Sequence, residues 1–154
     1  MAEIPIKCTM AFIYVLRPSG TGHEVLLLKR TQTLAGEWCQ VSGRIDEGEM
    51  PWQTVLRELK EETQLEVEQL FATDICETFY GVSKNTIHIA PVFVGYVSAQ
   101  AEPVLNFEHS DYRWVSFSDA TQMVPYGGQR RALQNIEEDF SKRSPNNFLR
   151  IPIQ

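Results

Sequence analysis

The chain has 154 residues, 43% apolar and 22% charged, with 20 acidic against 14 basic side chains and a formal net charge of −6. This size suits one domain with a real core, and the composition is that of an ordinary globular protein. The acidic balance argues against broad binding to a nucleic-acid polymer or an anionic membrane, since both need basic patches.

Lys7 to Arg17 reads as a strand, and Pro18 to Gly22 as a turn. Its apolar run, residues 10–16, is too short to span a bilayer, and no basic leader or cleavage site accompanies it. A core strand in a cytoplasmic protein is the expectation. Glu24 to Arg30 is continuously apolar at Val25-Leu-Leu-Leu28, which predicts a central strand. Thr31 to Glu37 reads as a loop and Trp38 to Ile45 as a strand. Pro51 suits the first turn of a helix, where its missing N–H costs nothing; that helix is predicted to run to about Thr63. Val67 to Tyr80 and Thr86 to Val97 read as strands, and Gln100 to Ser110 as a long loop. Tyr112 to Ser116 is predicted as a short strand, with Ser118 capping a brief helix. Leu133, Ile136 and Phe140 recur at helical spacing within Gly128 to Phe140. No internal repeat or linker interrupts this order, so the fold class is α/β (α+β) in a single domain over 1–154. Monomer and homodimer both stay open. The three cysteines, Cys8, Cys39 and Cys76, form no Cys-x-x-Cys pair and are expected as free thiols.

The chemistry concentrates in residues 43–65. Five acidic residues (Asp46, Glu47, Glu49, Glu58 and Glu61) and then Glu62 surround Arg57. On a helix, Glu58, Glu61 and Glu62 share one face, while Trp52, Leu56 and Leu59 fall on another stripe that can meet a core. Arg57 lies one turn before Glu61 and can pair with it. Three carboxylates on one face repel each other by a few tenths of a kcal/mol per pair even in water. A hard divalent cation removes that repulsion; Mg²⁺ takes carboxylate oxygens and shares its shell with substrate phosphates. The bland alternative is a solvated acidic helix face. No Asp-x-Asp-x-Asp-Gly loop suggests an EF-hand, and no Ser-His-Asp pattern suggests a covalent nucleophile.

Taken with Gly43 and Glu49 upstream, the stretch resembles the signature of the Nudix hydrolase family. That signature runs Gly, five residues, Glu, seven residues, Arg-Glu, an aliphatic residue, any residue, Glu-Glu, any residue, Gly, and an aliphatic residue. The chain matches at Gly43, Glu49, Arg57, Glu58, Leu59, Glu61, Glu62 and Leu65, eight of nine fixed positions over 23 residues. Gln64 replaces the glycine that would cap the helix in a left-handed conformation, at a cost of roughly 1 kcal/mol. Just upstream stands Ser42-Gly43, where many members have Gly-Gly.

The resemblance implies a mixed β-sheet sandwiched between helices, and hydrolysis of a nucleoside diphosphate linked to another group by water attack at phosphorus. It implies Glu58, Glu61 and Glu62 as metal ligands, with the Gly43 carbonyl as another and Mg²⁺ as the ion, Mn²⁺ being its substitute. Arg57 is expected to orient a carboxylate, and Glu49 to fix the loop or a metal-bound water. Glu108, six residues before Trp114, is the candidate general base or further ligand, set against a plain loop glutamate. His109, adjacent to Glu108, could titrate near neutrality, which is set against a surface or packing role. Arg30 is the candidate phosphate clamp, and Trp38, Phe79, Tyr80 and Phe107 are candidate stacking residues, each set against a core role. Outside the signature, residues 38–43, Glu108-His109 with Tyr112 and Trp114, and Gln129 to Leu133 look like the bacterial dATP pyrophosphohydrolase and dihydroneopterin triphosphate pyrophosphatase branch. That branch implies cleavage of a nucleoside or pterin triphosphate to the monophosphate and pyrophosphate. Tyr80, 16 residues past Gln64, matches a placement seen in dinucleoside polyphosphate hydrolases, which makes them the runner-up. Non-catalytic Nudix binding modules commonly lose a signature glutamate or the arginine, and this chain retains them all.

Overall fold

A computed structural model describes residues 1–153. Its strands are β1 (Ile6–Lys7), β2 (Met10–Ser19), β3 (Gly22–Arg30), β4 (Trp38–Cys39), β5 (Val41–Arg44), β6 (Gln69–Gly81), β7 (Thr86–Tyr96), β8 (His109–Val115) and β9 (Arg150–Ile151). Its α-helices are α1 (Pro51–Thr63), α2 (Phe117–Met123) and α3 (Gly127–Ile136). The strands form one mixed sheet, with order β4-β3-β2-β7-β6-β9 along its main path. β7 pairs parallel with β1 and β2, and the remaining pairings are antiparallel.

The splay of β2 from β3 positions the loop that enters the signature helix. β2 and β3 pair only near their connecting turn, from Leu16↔Val25 to Ser19↔Gly22. Beyond it they splay, and residues 38–44 enter the gap. β4 pairs with β3 at Leu28↔Cys39, and β5 pairs with β2 at Ala11↔Gly43. The strand expected over Trp38 to Ile45 is therefore broken at Gln40, where the chain passes from one neighbour to the other.

Each face of the sheet is covered, because strand side chains alternate between faces and both sets are apolar. On one face Ile13, Leu26, Leu28 and Phe93 pack with Val55, Leu59 and Leu65 of α1 and the residues after it. Val55 and Leu59 are fully buried, which contributes roughly 1.5–3 kcal/mol each. On the other face Tyr14, Val25, Leu27 and Phe71 pack with Phe117, Leu133, Ile136 and Phe140.

Several boundaries differ from the sequence expectation. The first strand breaks at Cys8-Thr9, since β1 pairs only with β7. β8 begins at His109, which shortens the preceding loop. The cap of α2 is Ser116, whose Oγ accepts from the Asp119 N–H at 3.1 Å, so Ser118 lies inside the helix. After α3 the backbone continues as a π-helical turn over Glu137–Lys142, which carries Phe140 into the core. Cys39 is buried, Cys8 and Cys76 are exposed, and all three are free thiols.

Candidate functional site

α1 crosses the sheet over β5, and Gly43 is what lets it come close. A Cβ at Gly43 would collide with Glu58 Cγ and lie 2.7 Å from its Cδ. Any side chain there would displace the Glu58 side chain from its place over β5. The helix starts at Pro51, with the Met50 N–H donating to Gln53 Oε1 at 2.9 Å. It ends on Gln64 in the left-handed region, φ 60°, with its N–H on the Lys60 carbonyl at 2.9 Å. Gln64 therefore does the work of the expected glycine, at roughly 1–2 kcal/mol of steric cost.

Arg57 ties the loop to the helix. Its Nε donates to Glu49 Oε2 at 2.8 Å and its Nη2 to Glu49 Oε1 at 3.0 Å, a two-pronged pair. Nη2 also reaches the Arg44 carbonyl at 3.0 Å, and Nη1 reaches Glu58 Oε1 at 2.9 Å. The helical contact to Glu61 is the longest of the set, 3.5 Å. Glu49 Oε1 further accepts from Thr54 Oγ1 and the Asp46 N–H. Those hydrogen bonds, that of Arg57 foremost, hold the Glu49 carboxyl down at about 2. Arg57 in turn is pushed up, chiefly by Glu49.

Beside this clasp lies a cleft of about 530 Å³ whose walls include Glu58, Glu62, Glu108, His109, Arg30 and Arg44. Glu62 is only 4% exposed, and its Oε2 has no hydrogen-bond partner. Burial first, then the Glu108 and Glu58 carboxylates, push its carboxyl up to about 9. Glu58 is raised by burial against the opposing pull of Arg57. Loop 100–108 brings Glu108 here past the end of α1. The Asn106 N–H binds the Glu62 carbonyl and the Val104 N–H that of Thr63. Thr31 then fixes the end of the loop, its N–H and Oγ1 both donating to the Glu108 carbonyl, and Asn106 Oδ1 accepts from the Glu108 N–H. His109 is 8% exposed, and burial, then the Arg30 guanidinium, lowers its pKa.

An orphaned buried oxygen among three carboxylates leaves charge and hydrogen-bonding capacity unmet, which is costly in a protein interior. A divalent cation fits that donor set. Glu58, Glu62 and Glu108 can supply oxygens to it, and Arg30 and Arg44 face the same cleft. Arg30 has no carboxylate within ion-pair distance among the described residues; its Nε rests on the Thr33 carbonyl at 2.6 Å.

The remaining residues singled out in the sequence are spread out. Gly43 lines the cleft; Glu61 does not, and its side chain is 55% exposed beside Arg57. Phe107 is exposed, immediately before Glu108. Trp38 pairs with Lys29 in register and packs against the core opposite α1, with the Arg113 guanidinium 5.0 Å from its ring centre. Tyr80 is exposed near the tip of the β6–β7 hairpin, its hydroxyl on Asn85 Oδ1. Phe79 stacks on His88. Arg44, Ser42 and His109 line the cleft without having been singled out for it. For the first two, adjacency to Gly43 was the available signal; for His109 no periodic pattern gave one.

A family model described as NUDIX domain matches residues 9–136. The asymmetrical bis(5'-nucleosyl)-tetraphosphatase of Mus musculus is 31% identical over 116 residues, 72% of this chain and 76% of that protein. An octanoyltransferase of Myxococcus xanthus is 30% identical over 141 residues, 86% of this chain, yet the chain spans only 37% of that protein's length. Among solved structures, a C. elegans Ap4A hydrolase binary complex superposes with TM-score 0.73 at 25% identity, covering 86% of this chain and 96% of that one. The E. coli dihydroneopterin triphosphate pyrophosphohydrolase does so with TM-score 0.72 at 20% identity, covering 86% and 97%. The signature residues, the helix-on-sheet cleft they build and the match over 9–136 together show that the chain belongs to the Nudix family, whose hydrolases act on phosphoric anhydride bonds.

Proposed function

We propose that this protein is a divalent-metal-dependent Nudix pyrophosphohydrolase, a single domain over 1–154 acting in the cytoplasm on a nucleotide-like polyphosphate. The observation that carries the reading is Glu62, a buried carboxyl with an orphaned oxygen, crowded by Glu108 and Glu58. Burying and crowding carboxylates costs stability unless a cation uses them. Glu58, Glu62 and Glu108, with the Gly43 carbonyl, are the proposed ligands of Mg²⁺ or Mn²⁺; Glu61, outside the cleft, joins them only by turning its exposed carboxylate inward. When bound, such an ion neutralises charge growing on phosphate oxygens and lowers the pKa of a water.

The chain's own residues supply the rest. Arg30 and Arg44 hold phosphate oxygens from the cleft wall. Glu108 takes the proton of the attacking water as the anhydride opens, since its loop is pinned at Thr31 and Asn106 beside Glu62. Arg57 keeps Glu58 and the 44–49 loop in place. Phe107, exposed next to Glu108, is the proposed stacking surface for a base or pterin ring. Trp38 faces the opposite side of the sheet, so a contact from it requires the substrate to extend past the sheet end.

The substrate read from residues outside the signature is a dATP-like nucleoside or pterin triphosphate, cleaved to monophosphate and pyrophosphate. A second reading, hydrolysis of a dinucleoside polyphosphate, is favoured by the likeness to the mouse tetraphosphatase and by the exposure of Tyr80. A panel assay with Mg²⁺ separates them: dNTPs, NTPs, dihydroneopterin triphosphate, diadenosine polyphosphates and ADP-ribose, scored for pyrophosphate and phosphate. Pyrophosphate from one triphosphate, lost in Glu62→Gln, supports the first. Turnover of dinucleotides alone supports the second. Turnover that survives both chelation and Glu62→Gln overturns the metal-dependent mechanism.

A further inference from the structure

β8 changes register where it enters the cleft. Lys29 pairs with Asp111, but the next residue, Arg30, pairs with His109, leaving Ser110 as an extra residue. Side chains on a regular strand alternate faces. Tyr112 and Trp114 pair with Leu28 and Leu26 and pack on the α1 side. Without interruption His109, three positions from Tyr112, would point to the other side. The bulge reverses the alternation, as such insertions do, and His109 lines the cleft instead.

There it is left without a partner. His109 is 8% exposed, and its buried Nδ1 has no hydrogen bond. Glu62 Oε2 is the other orphan of the cleft. One ring nitrogen of His109 and one carboxylate oxygen each from Glu62 and Glu108 lie within 4.8 Å of one another. A histidine kept for packing alone normally finds a partner for its ring nitrogens, since buried polar atoms are rarely left unpaired. A buried ring nitrogen set against two carboxylates, one of them with an orphaned oxygen of its own, is instead completed by a cation with a mixed nitrogen and oxygen shell.

We propose that His109 is a metal ligand, an imidazole nitrogen that joins Glu62 and Glu108 on one divalent cation and shifts the site's preference from Mg²⁺ toward later ions such as Co²⁺ and Zn²⁺. The inference rests on reading this cleft as a metal site. Its direction follows from ligand chemistry: Mg²⁺ keeps to oxygen donors and sheds water reluctantly, whereas imidazole suits later divalent ions.

The test is Mn²⁺ binding to the full chain without substrate, followed by electron paramagnetic resonance with pulsed detection of ¹⁴N coupling. Wild type is expected to show an imidazole nitrogen on Mn²⁺. His109→Asn should lose that coupling while His23 and His88, the chain's other histidines, remain. Its Co²⁺ and Zn²⁺ affinities should fall about tenfold or more, the scale on which loss of even a ligand's supporting partner acts, with a smaller loss for Mg²⁺. His109→Gln is the second variant if Asn disturbs folding, and the wild-type coupling is readable without either. Mn²⁺ binding that depends on Glu62 but shows no nitrogen coupling overturns the ligand role of His109 and leaves the hydrolase reading intact. Binding indifferent to both Glu62→Gln and His109→Asn overturns the metal cleft itself, and both readings with it.

Discussion

Two glutamates are buried almost equally on opposite faces of the same sheet, and they are treated in opposite ways. Glu77, 8% exposed, accepts the Tyr14 hydroxyl at 3.0 Å on the α3 side. Nearby, Gln129 of α3 donates to Gln40 at 2.9 Å, a second matched polar pair buried on that face. Glu62, 4% exposed, has an orphaned oxygen and two carboxylates for company. Burial raises both carboxyls, Glu77 to about 6 and Glu62 to about 9, but only Glu62 is raised further by neighbouring charge. A buried acid that a fold merely tolerates is given donors. One that is left unmatched at the wall of a cleft is a candidate for chemistry.

The sharpest way to break this contrast is Glu62→Gln. Turnover should fall on the order of a hundredfold or more, since loss of a ligand exceeds loss of its supporting partner. The metal-free protein should unfold at the same or a higher temperature, because an amide is neutral in the cleft at every pH, whereas Glu62 must take up a proton or face Glu108 and Glu58 as a charge. Turnover near wild type would end the metal assignment of Glu62. Glu108→Gln comes next. Its rate should drop on the order of a hundredfold, within the range of a lost general base, and the limb of the pH–rate profile that reports base deprotonation should move. An unchanged profile would reduce Glu108 to a loop residue.

On the matched face the expected effect is the reverse, stability without turnover. Tyr14→Phe removes the donor to Glu77 and should cost about 1–3 kcal/mol in denaturant unfolding. Steady-state rates under folding conditions should stay close to wild type. A rate loss as large as that of Glu62→Gln would show that the two faces are coupled, and the contrast would fail.

The signature face was legible because its information is local. Pro51 and the i, i+4 spacing of Glu58 and Glu62 act within one helix, which runs over the expected residues; of the expected Trp52, Leu56 and Leu59 stripe only Leu59 is fully buried, Val55 takes the other buried place, and Trp52 and Leu56 pack at the margin. What escaped were contacts made by register and by loops. Arg57 was expected to pair within the helix, yet its best partner is Glu49, eight residues upstream in the loop. His109 reaches the cleft only through a one-residue bulge, which inverts what alternation predicts. β9 pairs with β6 over two residues at Leu70↔Ile151 and Phe71↔Arg150, too short to leave a pattern. Trp38 meets Arg113 on one face of the sheet because β4 and β8 both pair with β3.

Acidity offers a finer test of the same contrast. A carboxyl whose pKa is raised on folding contributes stability that is fully present below its unfolded value, near 4.5, and lost as pH rises through its folded value. The metal-free protein should therefore lose stability in two windows, one up to about 6 from Glu77 and one continuing to about 9 from Glu62. Glu62→Gln should remove only the upper window. Metal must displace the Glu62 proton, so Mn²⁺ or Mg²⁺ should bind more tightly as pH rises and should release protons at neutral pH. Calorimetry in buffers of different ionisation enthalpy reads that release. Binding with no proton uptake or release at pH 7 would mean that Glu62 is already ionised in the metal-free cleft.

The smallest effect lies two residues past Glu62, at the end of the helix. Gln64 holds φ 60°, where a Cβ crowds the following carbonyl at roughly 1–2 kcal/mol. Gln64→Gly removes that crowding but gives back part of the gain, because glycine loses about 0.5–1 kcal/mol more conformational entropy on folding. A net stabilisation of about 0.5–1 kcal/mol is expected, measured as a shift of denaturant midpoint at constant slope. The cap carbonyls are already held from loop 100–108, by the Asn106 and Val104 N–H groups on Glu62 and Thr63, so the glycine has no missing hydrogen bond to restore. If the variant is instead destabilised, the glutamine side chain is contributing something at the helix end that outweighs its strain. The departure from the family signature would then be a local adaptation rather than a tolerated cost.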